Sequence, residues 1–147
     1  NIDYFLSQKI ADLDGILKDN SIDKVIINSV IQYLSMEDIN GCLEILHRKL
    51  VSNGEIYVVD IPIKGHSFSK ECMEYLCAYY NRNNLKKILM HYILECLKKI
   101  VDKNNMMNIS YFSYEELVKA FGNHYEVIDL GVVTISSQRK NVMLAKG

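Results

Sequence analysis

Asn28, Ser29 and Asp60 are the residues of this chain whose types and positions could do chemistry. Asn28 and Ser29 close the apolar run Val25–Ile27, which the acidic Asp23 opens. Asp60 closes a second run that starts at Glu55 and is broken by Pro62. The unbroken run Val25–Ile27 reads as a parallel strand buried on both faces, and Glu55–Ile61 as another strand. Open α/β sheets bind ligands at the carboxyl ends of such strands. There, Asn28, Ser29 and the backbone carbonyls beside them can line a polar ligand, and Asp60 can orient a substrate. Strand ending by small polar residues, and loop capping by an aspartate, would use the same letters.

His66 follows in the next loop. An imidazole there could take the proton of an attacking hydroxyl or amine as general base; a solvated loop histidine is the simpler account. Gln32 and Tyr33 either face a substrate or pack beneath the next helix. Tyr75, Tyr79, Tyr80 and Tyr92 could line a pocket for an apolar acceptor, or pack in the core. His47, His91 and His124 invite no catalytic role. Neither the histidines nor Cys42, Cys72, Cys77 and Cys96 have metal-ligand spacing. The cysteines lie in apolar helical surroundings without a Cys-x-x-Cys pair, which suits reduced core thiols in a cytoplasmic protein.

The elements that must position these residues are legible by period. Ile2–Leu6 is a strand candidate, and Ala11–Gly15 reads as a loop. Ser35 can cap a helix with Asp38 at its third position. Ile39, Cys42, Leu43, Leu46 and Leu50 then recur at helical spacing. Asn53-Gly54 is a turn signal, and Glu55–Ile61 is the next strand. Strand, helix and strand make a βαβ unit with a right-handed crossover. Lys64–Ser69 reads as a loop. Two helices follow, one with Cys72, Met73, Leu76, Cys77 and Tyr80 inward, the other running from about Leu85 to Ile100. Residues 64–110 thus form a helical insertion or cap. Ser113 and Glu116 frame a capping box, with Leu117, Val118 and Phe121 inward and Gly122 at the stop. Tyr125–Thr134 and Asn141–Lys146 are the last two strands, close enough for an antiparallel hairpin.

The totals fit one domain. The chain has 147 residues, 49% hydrophobic and 24% charged, an ordinary globular composition. A net charge of −1 offers no electrostatic attraction to nucleic acid or an anionic membrane. No apolar run approaches the ~20 residues that span a bilayer.

In wording and order these segments resemble the later part of a class I S-adenosylmethionine (SAM) dependent methyltransferase of the small-molecule type. They are similar to methyltransferase domains of nonribosomal peptide synthetases, and the match covers nearly the whole chain. Ile27-Asn-Ser-Val-Ile-Gln-Tyr-Leu34 carries it best. Ala11-Asp12 and Asn53-Gly54-Glu-Ile-Tyr-Val-Val-Asp60 add order and spacing, with Asn53 standing where the family has glycine.

The resemblance implies an α/β, Rossmann-like fold with a mostly parallel sheet and an antiparallel last strand between its neighbours. It implies SAM-dependent methyl transfer to a small-molecule acceptor, with S-adenosylmethionine as cofactor and no metal. It places Ala11, Asp12, Leu13, Asn28, Ser29 and Val30 against the cofactor, Asp12 taking the adenine amino group. Gln32, Tyr33 and Asp60 fall on the substrate side, and His66 is the candidate base. Nothing in the sequence matches the family's Gly-x-Gly-x-Gly loop or its ribose-binding acid. We expect the amino-terminal, glycine-loop half to lie upstream of Asn1. Without two intervening strands, the Val25–Ile27 strand should present an apolar edge. The rival reading is a non-catalytic interaction domain of the same fold. A homodimer or a multidomain synthetase context stays open.

Overall fold

The computed structural model describes residues 12–65, 67–80 and 110–147. In chain order these form α1 (Asp12–Ile16), β1 (Ile22–Asn28), a 3-10 turn (Ile31–Tyr33), α2 (Met36–Lys49), β2 (Leu50–Pro62), α3 (Phe68–Tyr80), α4 (Tyr114–Phe121), β3 (Glu126–Asp129) and β4 (Arg139–Ala145). The strands make one sheet in the order β1-β2-β4-β3. β1 pairs with β2 in parallel, and β4 runs antiparallel to both β2 and β3. The expected last strand, inserted against the direction of its neighbours, is therefore present.

Both anticipated capping boxes form. Ser35 accepts from the Asp38 amide, and the Asp38 carboxylate accepts from the Ser35 amide. Ser113 and Glu116 make the same exchange at α4. Each satisfies two amide donors that a helix start leaves open. The inward faces follow the sequence period: Ile39, Cys42, Leu43 and Leu46 from α2 join Leu117, Ala120 and Phe121 from α4. They pack on Ile56, Val58, Val142 and Leu144 of the central strands. Burial pushes the Cys42 thiol up to about 11, so it stays protonated at neutral pH.

Several expectations are corrected. Val25–Ile27 is not buried on both faces. β1 is outermost among the described strands, and Ile26 is 74% exposed. Only its other face, through Val25 and Ile27, packs on the core. Asp12–Ile16 is a short helix rather than a loop. β2 starts at Leu50, ahead of Asn53-Gly54, and absorbs that pair where its register with β1 shifts. Asn53 there has a φ of 64°. α3 begins at Phe68, within the expected loop, and turns Met73 and Cys77 outward while burying Glu71. Met73 and Cys77 are thus not core residues. β3 is only four residues long because the chain leaves the sheet after Asp129. The Ile2–Leu6 strand, the Leu85–Ile100 helix, Ala11, His66, His91, Tyr92 and Cys96 lie outside the described residues. Among the described residues no helix is long and apolar enough to cross a membrane, and no group of three or more His, Cys, Asp or Glu could hold a metal ion.

Candidate functional site at the carboxyl ends of β1 and β2

β1 and β2 run in register to Asn28↔Val59, so their ends lie side by side. Ser29, one residue beyond β1, has a φ of 54°, and Asp60 has a φ of 62°. Both are left-handed, a conformation that costs a non-glycine residue roughly 1–2 kcal/mol. The Ser29 hydroxyl lies 2.5 Å from Asp60 Oδ2 and 3.2 Å from Asn28 Oδ1. The Ser29 amide donates to the Val59 carbonyl at 3.1 Å. Strain at two facing residues, held by a hydrogen bond between them, is a pattern that concentrates at functional sites.

A bulge explains how Asp60 is aimed. Val58 pairs with Val142 and Ile61 with Lys140. Val59 and Asp60 therefore stand opposite Asn141 alone, one residue more than the ladder holds. Asn141 is fully buried. Its Oδ1 accepts the Asp60 amide at 3.0 Å, and its Nδ2 donates to the Gly131 carbonyl at 2.9 Å. The side chain thus gives the Asp60 amide a partner at the bulge and ties the β3–β4 connection to β2.

Arg139, at the start of β4, is the nearby cation. Its Nε donates to Glu71 Oε1 at 2.7 Å and lies 3.9 Å from Asp60 Oδ1. Glu71 and Arg139 are largely buried, with side-chain exposures of 8% and 18%. Three residues along α3, Glu74 accepts from the Ser136 hydroxyl at 3.0 Å and the Ser137 amide at 2.9 Å, and also binds the Ser137 hydroxyl. These bonds, led by the Ser137 hydroxyl, hold its carboxyl below the usual range. Ser67 and Gln138 exchange two further bonds. The amino-terminal half of α3 is thereby clamped across the β3–β4 connection by polar groups.

The residues singled out from sequence are distributed unevenly. Asn28, Ser29 and Asp60 come together, with Asn28 exposed and Ser29 and Asp60 partly buried. Val30 is 43% exposed beside them and Tyr33 is 50% exposed. Gln32 is buried, its carbonyl accepts the Ser110 amide at 2.7 Å, and its side-chain Oε1 has no hydrogen-bond partner. Asp12 and Leu13 stand on a different element. α1 is fastened by Asp14 to Arg48 and to the buried Lys49, which also holds Asp19. Those ties lie at the amino end of the sheet, where Ile22 pairs with Leu50. Sequence reasoning missed Asn141, Arg139, Glu71 and Glu74. A buried asparagine opposite a bulge has no local signature; Arg139 and Glu71 are 68 residues apart.

No protein-family model matches the sequence, and no curated protein matches it. Solved structures do. The pyocyanin biosynthetic protein PhzM superposes with a TM-score of 0.52 at 11% identity, covering 91% of this chain and 33% of that one. Magnesium protoporphyrin IX methyltransferase ChlM from Synechocystis PCC 6803, solved with bound SAH, gives 0.51 at 14% identity, covering 97% and 51%. Human N-acetylserotonin methyltransferase, solved with SAM, gives 0.51 at 9% identity, covering 88% and 31%. The chain therefore spans about a third to a half of each of these proteins. Its strand order, its antiparallel β4 and these superpositions agree: the chain has the Rossmann-like fold of the SAM-dependent methyltransferases.

Proposed function

We propose that this chain contributes the acceptor side of a SAM-dependent methyltransferase acting on a small molecule. The observation that carries the reading is the Ser29–Asp60 pair, two left-handed residues joined across the ends of adjacent parallel strands. The residues fit part of the cofactor. A carboxylate, an exposed Asn28 and strand-end carbonyls suit the cationic sulfur and ammonium of the methionine portion, held by Asn28, Ser29 and Val30. Asp12 and Leu13 remain the proposed adenine contacts, although the ties of α1 run to the sheet's other end. SAM, when bound, supplies an electrophilic methyl group on a positively charged sulfur.

The chain's own part is orientation and proton handling. Ser29 holds Asp60 Oδ2, which leaves Oδ1 to accept the O–H or N–H of an acceptor and aim its lone pair. Holding the reactants in line is the main contribution such a site can make. Gln32 and Tyr33 remain the proposed substrate contacts, and His66 is the second candidate base. Reduced thiols and a cytoplasmic setting belong to the same proposal.

Titration of the full-length protein with SAH by calorimetry tests it. Saturable binding is the expected result, followed by transfer of a deuterated methyl group to one of a panel of small hydroxyl and amine acceptors, read by mass. Asp60→Asn should lower transfer at least tenfold while leaving SAH binding within a few-fold; His66→Ala tells the two bases apart. Absence of SAH binding overturns the reading.

A second reading has its own support. Ile26, Tyr57, Met143 and Ile128 are register partners across all four strands and form an apolar row on the face away from the core cluster. Ile26 is 74% and Ile128 37% exposed. Such a face suits a non-catalytic interaction domain of this fold, and it is the reading that failure to bind SAH would favour.

A further inference from the structure

We infer that Arg139 is a positioning residue, held by Glu71 so that α3 sets the charge around Asp60. This rests on the site reading above and deepens it. One guanidinium faces two carboxylates from different elements, Glu71 on α3 at 2.7 Å and Asp60 on β2 at 3.9 Å. The nearer contact is a charge-assisted hydrogen bond; the farther one lies beyond hydrogen-bond distance. Glu71 and Arg139 are mostly withdrawn from water, where an arginine left without its partner is costly. Removing the Glu71 charge therefore drives the guanidinium toward Asp60.

The consequence is a division of labour along α3. Glu74 anchors the helix to Ser136 and Ser137, neutral groups with no charge to redistribute. Glu71 anchors it to Arg139, a cation that also faces Asp60. While α3 is docked, Arg139 is committed to Glu71, and Asp60 Oδ1 stays open to an acceptor's proton. When Glu71 withdraws, Arg139 closes on Asp60 and occupies the oxygen that the acceptor needs. Docking of α3 and readiness of Asp60 are thus one event, linked through the Arg139 Nε–H, the guanidinium donor that lies nearest both carboxylates and can point at one of them at a time.

The test compares Glu71→Gln with Glu74→Gln by nuclear magnetic resonance on the unliganded protein. Glutamine keeps the shape and removes the charge. Arg48 and Arg82 are the other arginines, so the Arg139 Nε–H signal is assignable. Glu71→Gln should move that signal and the backbone amide signals of Ser29 and Asp60. Glu74→Gln should speed amide exchange along α3 and leave Ser29 and Asp60 in place. Arg139→Gln, which leaves no cation to move, should abolish the response of Asp60 to Glu71→Gln. Unmoved Ser29 and Asp60 signals in Glu71→Gln overturn the proposal. So do equal movements in Glu74→Gln, which would mean that α3 docking alone matters. SAH titration of the full-length protein keeps the readings separable: coupling without SAH binding sinks the methyltransferase reading and leaves Arg139's role intact.

Discussion

Asn141 and Asp60 are bound side chain to backbone across the β2–β4 bulge, Asn141 Oδ1 accepting the Asp60 amide at 3.0 Å. The Asn141 side-chain nitrogen donates to the Gly131 carbonyl, so one buried residue satisfies the Asp60 amide at the bulge and a carbonyl of the β3–β4 connection. Asn141→Ala leaves both without partners. An unsatisfied buried group costs about 1–3 kcal/mol, and the expected loss is about 3 kcal/mol in urea unfolding. Asn141→Asp keeps the acceptor but not the donor, and should lose nearly as much at neutral pH. If Asn141→Ala unfolds at the wild-type midpoint, the bulge is held by something else.

This bulge marks where the sequence stopped being legible. The starts of helices α2 and α4 were readable to the residue because Ser35/Asp38 and Ser113/Glu116 are local devices, satisfied within one turn; the end of α2 was not, since Leu50 opens β2. The antiparallel β4 followed from family order and spacing. Asn28, Ser29 and Asp60 were found because strand ends are local too. Asn141, Arg139 and Glu71 were not, since their partners lie 68 to 81 residues away. Period also misled on α3. Apolar letters at helical spacing suggested an inward Met73 and Cys77, whereas the helix docks through Glu71 and Glu74. The exposed Ile26 on β1 was foreseeable only by asking which strands would flank it.

Gly54 is the glycine that close approach demands. A Cβ there would stand 2.9 Å from Leu50 Cδ2 and 2.9 Å from the Val51 carbonyl oxygen. The backbone oxygen cannot step aside without disturbing the β1–β2 register shift. Gly54→Ala should cost about 1–3 kcal/mol, the usual range for overpacking. Gly15, within α1, would place a Cβ with nothing within 4 Å of it, and its φ is not positive. Gly15→Ala should raise stability by about 0.4–1 kcal/mol by narrowing the unfolded ensemble. Thermal melts of the two variants should move in opposite directions.

Stability should fall in acid in two stages. Burial, then Lys146 and His124, lower the His47 pKa. The unfolded chain therefore binds that proton first, and stability drops as pH falls below about 6.5. The carboxyls of Glu74, Glu116, Asp38, Glu55, Asp14 and Asp129 are also lowered, by bonds led respectively by Ser137, Ser113, Ser35, Lys24, Arg48 and Gly131. Their contribution is complete above the unfolded value of about 4 and is lost as pH falls through the folded ones. Urea midpoints measured from pH 8 to pH 3 should show a shallow decline and then a steep one. His47→Gln should flatten the first and spare the second.

The two faces of the sheet should answer mutation differently. Leu144 is fully buried, paired with Ile56 and Val127 on the core face. Leu144→Ala should cost about 2–5 kcal/mol, as large-to-small core changes do. Ile26 points away from that core and is 74% exposed on an outermost strand. Ile26→Lys should change stability by no more than about 0.5 kcal/mol. Its effect belongs to association, because a charge on an exposed strand is what blocks edge-to-edge pairing. Sedimentation velocity at rising concentration should show self-association of the wild-type protein and its reduction in Ile26→Lys. A marked loss of stability in Ile26→Lys, with association unchanged, would mean that Ile26 packs inside this chain and that the row through Tyr57, Met143 and Ile128 is not a contact face.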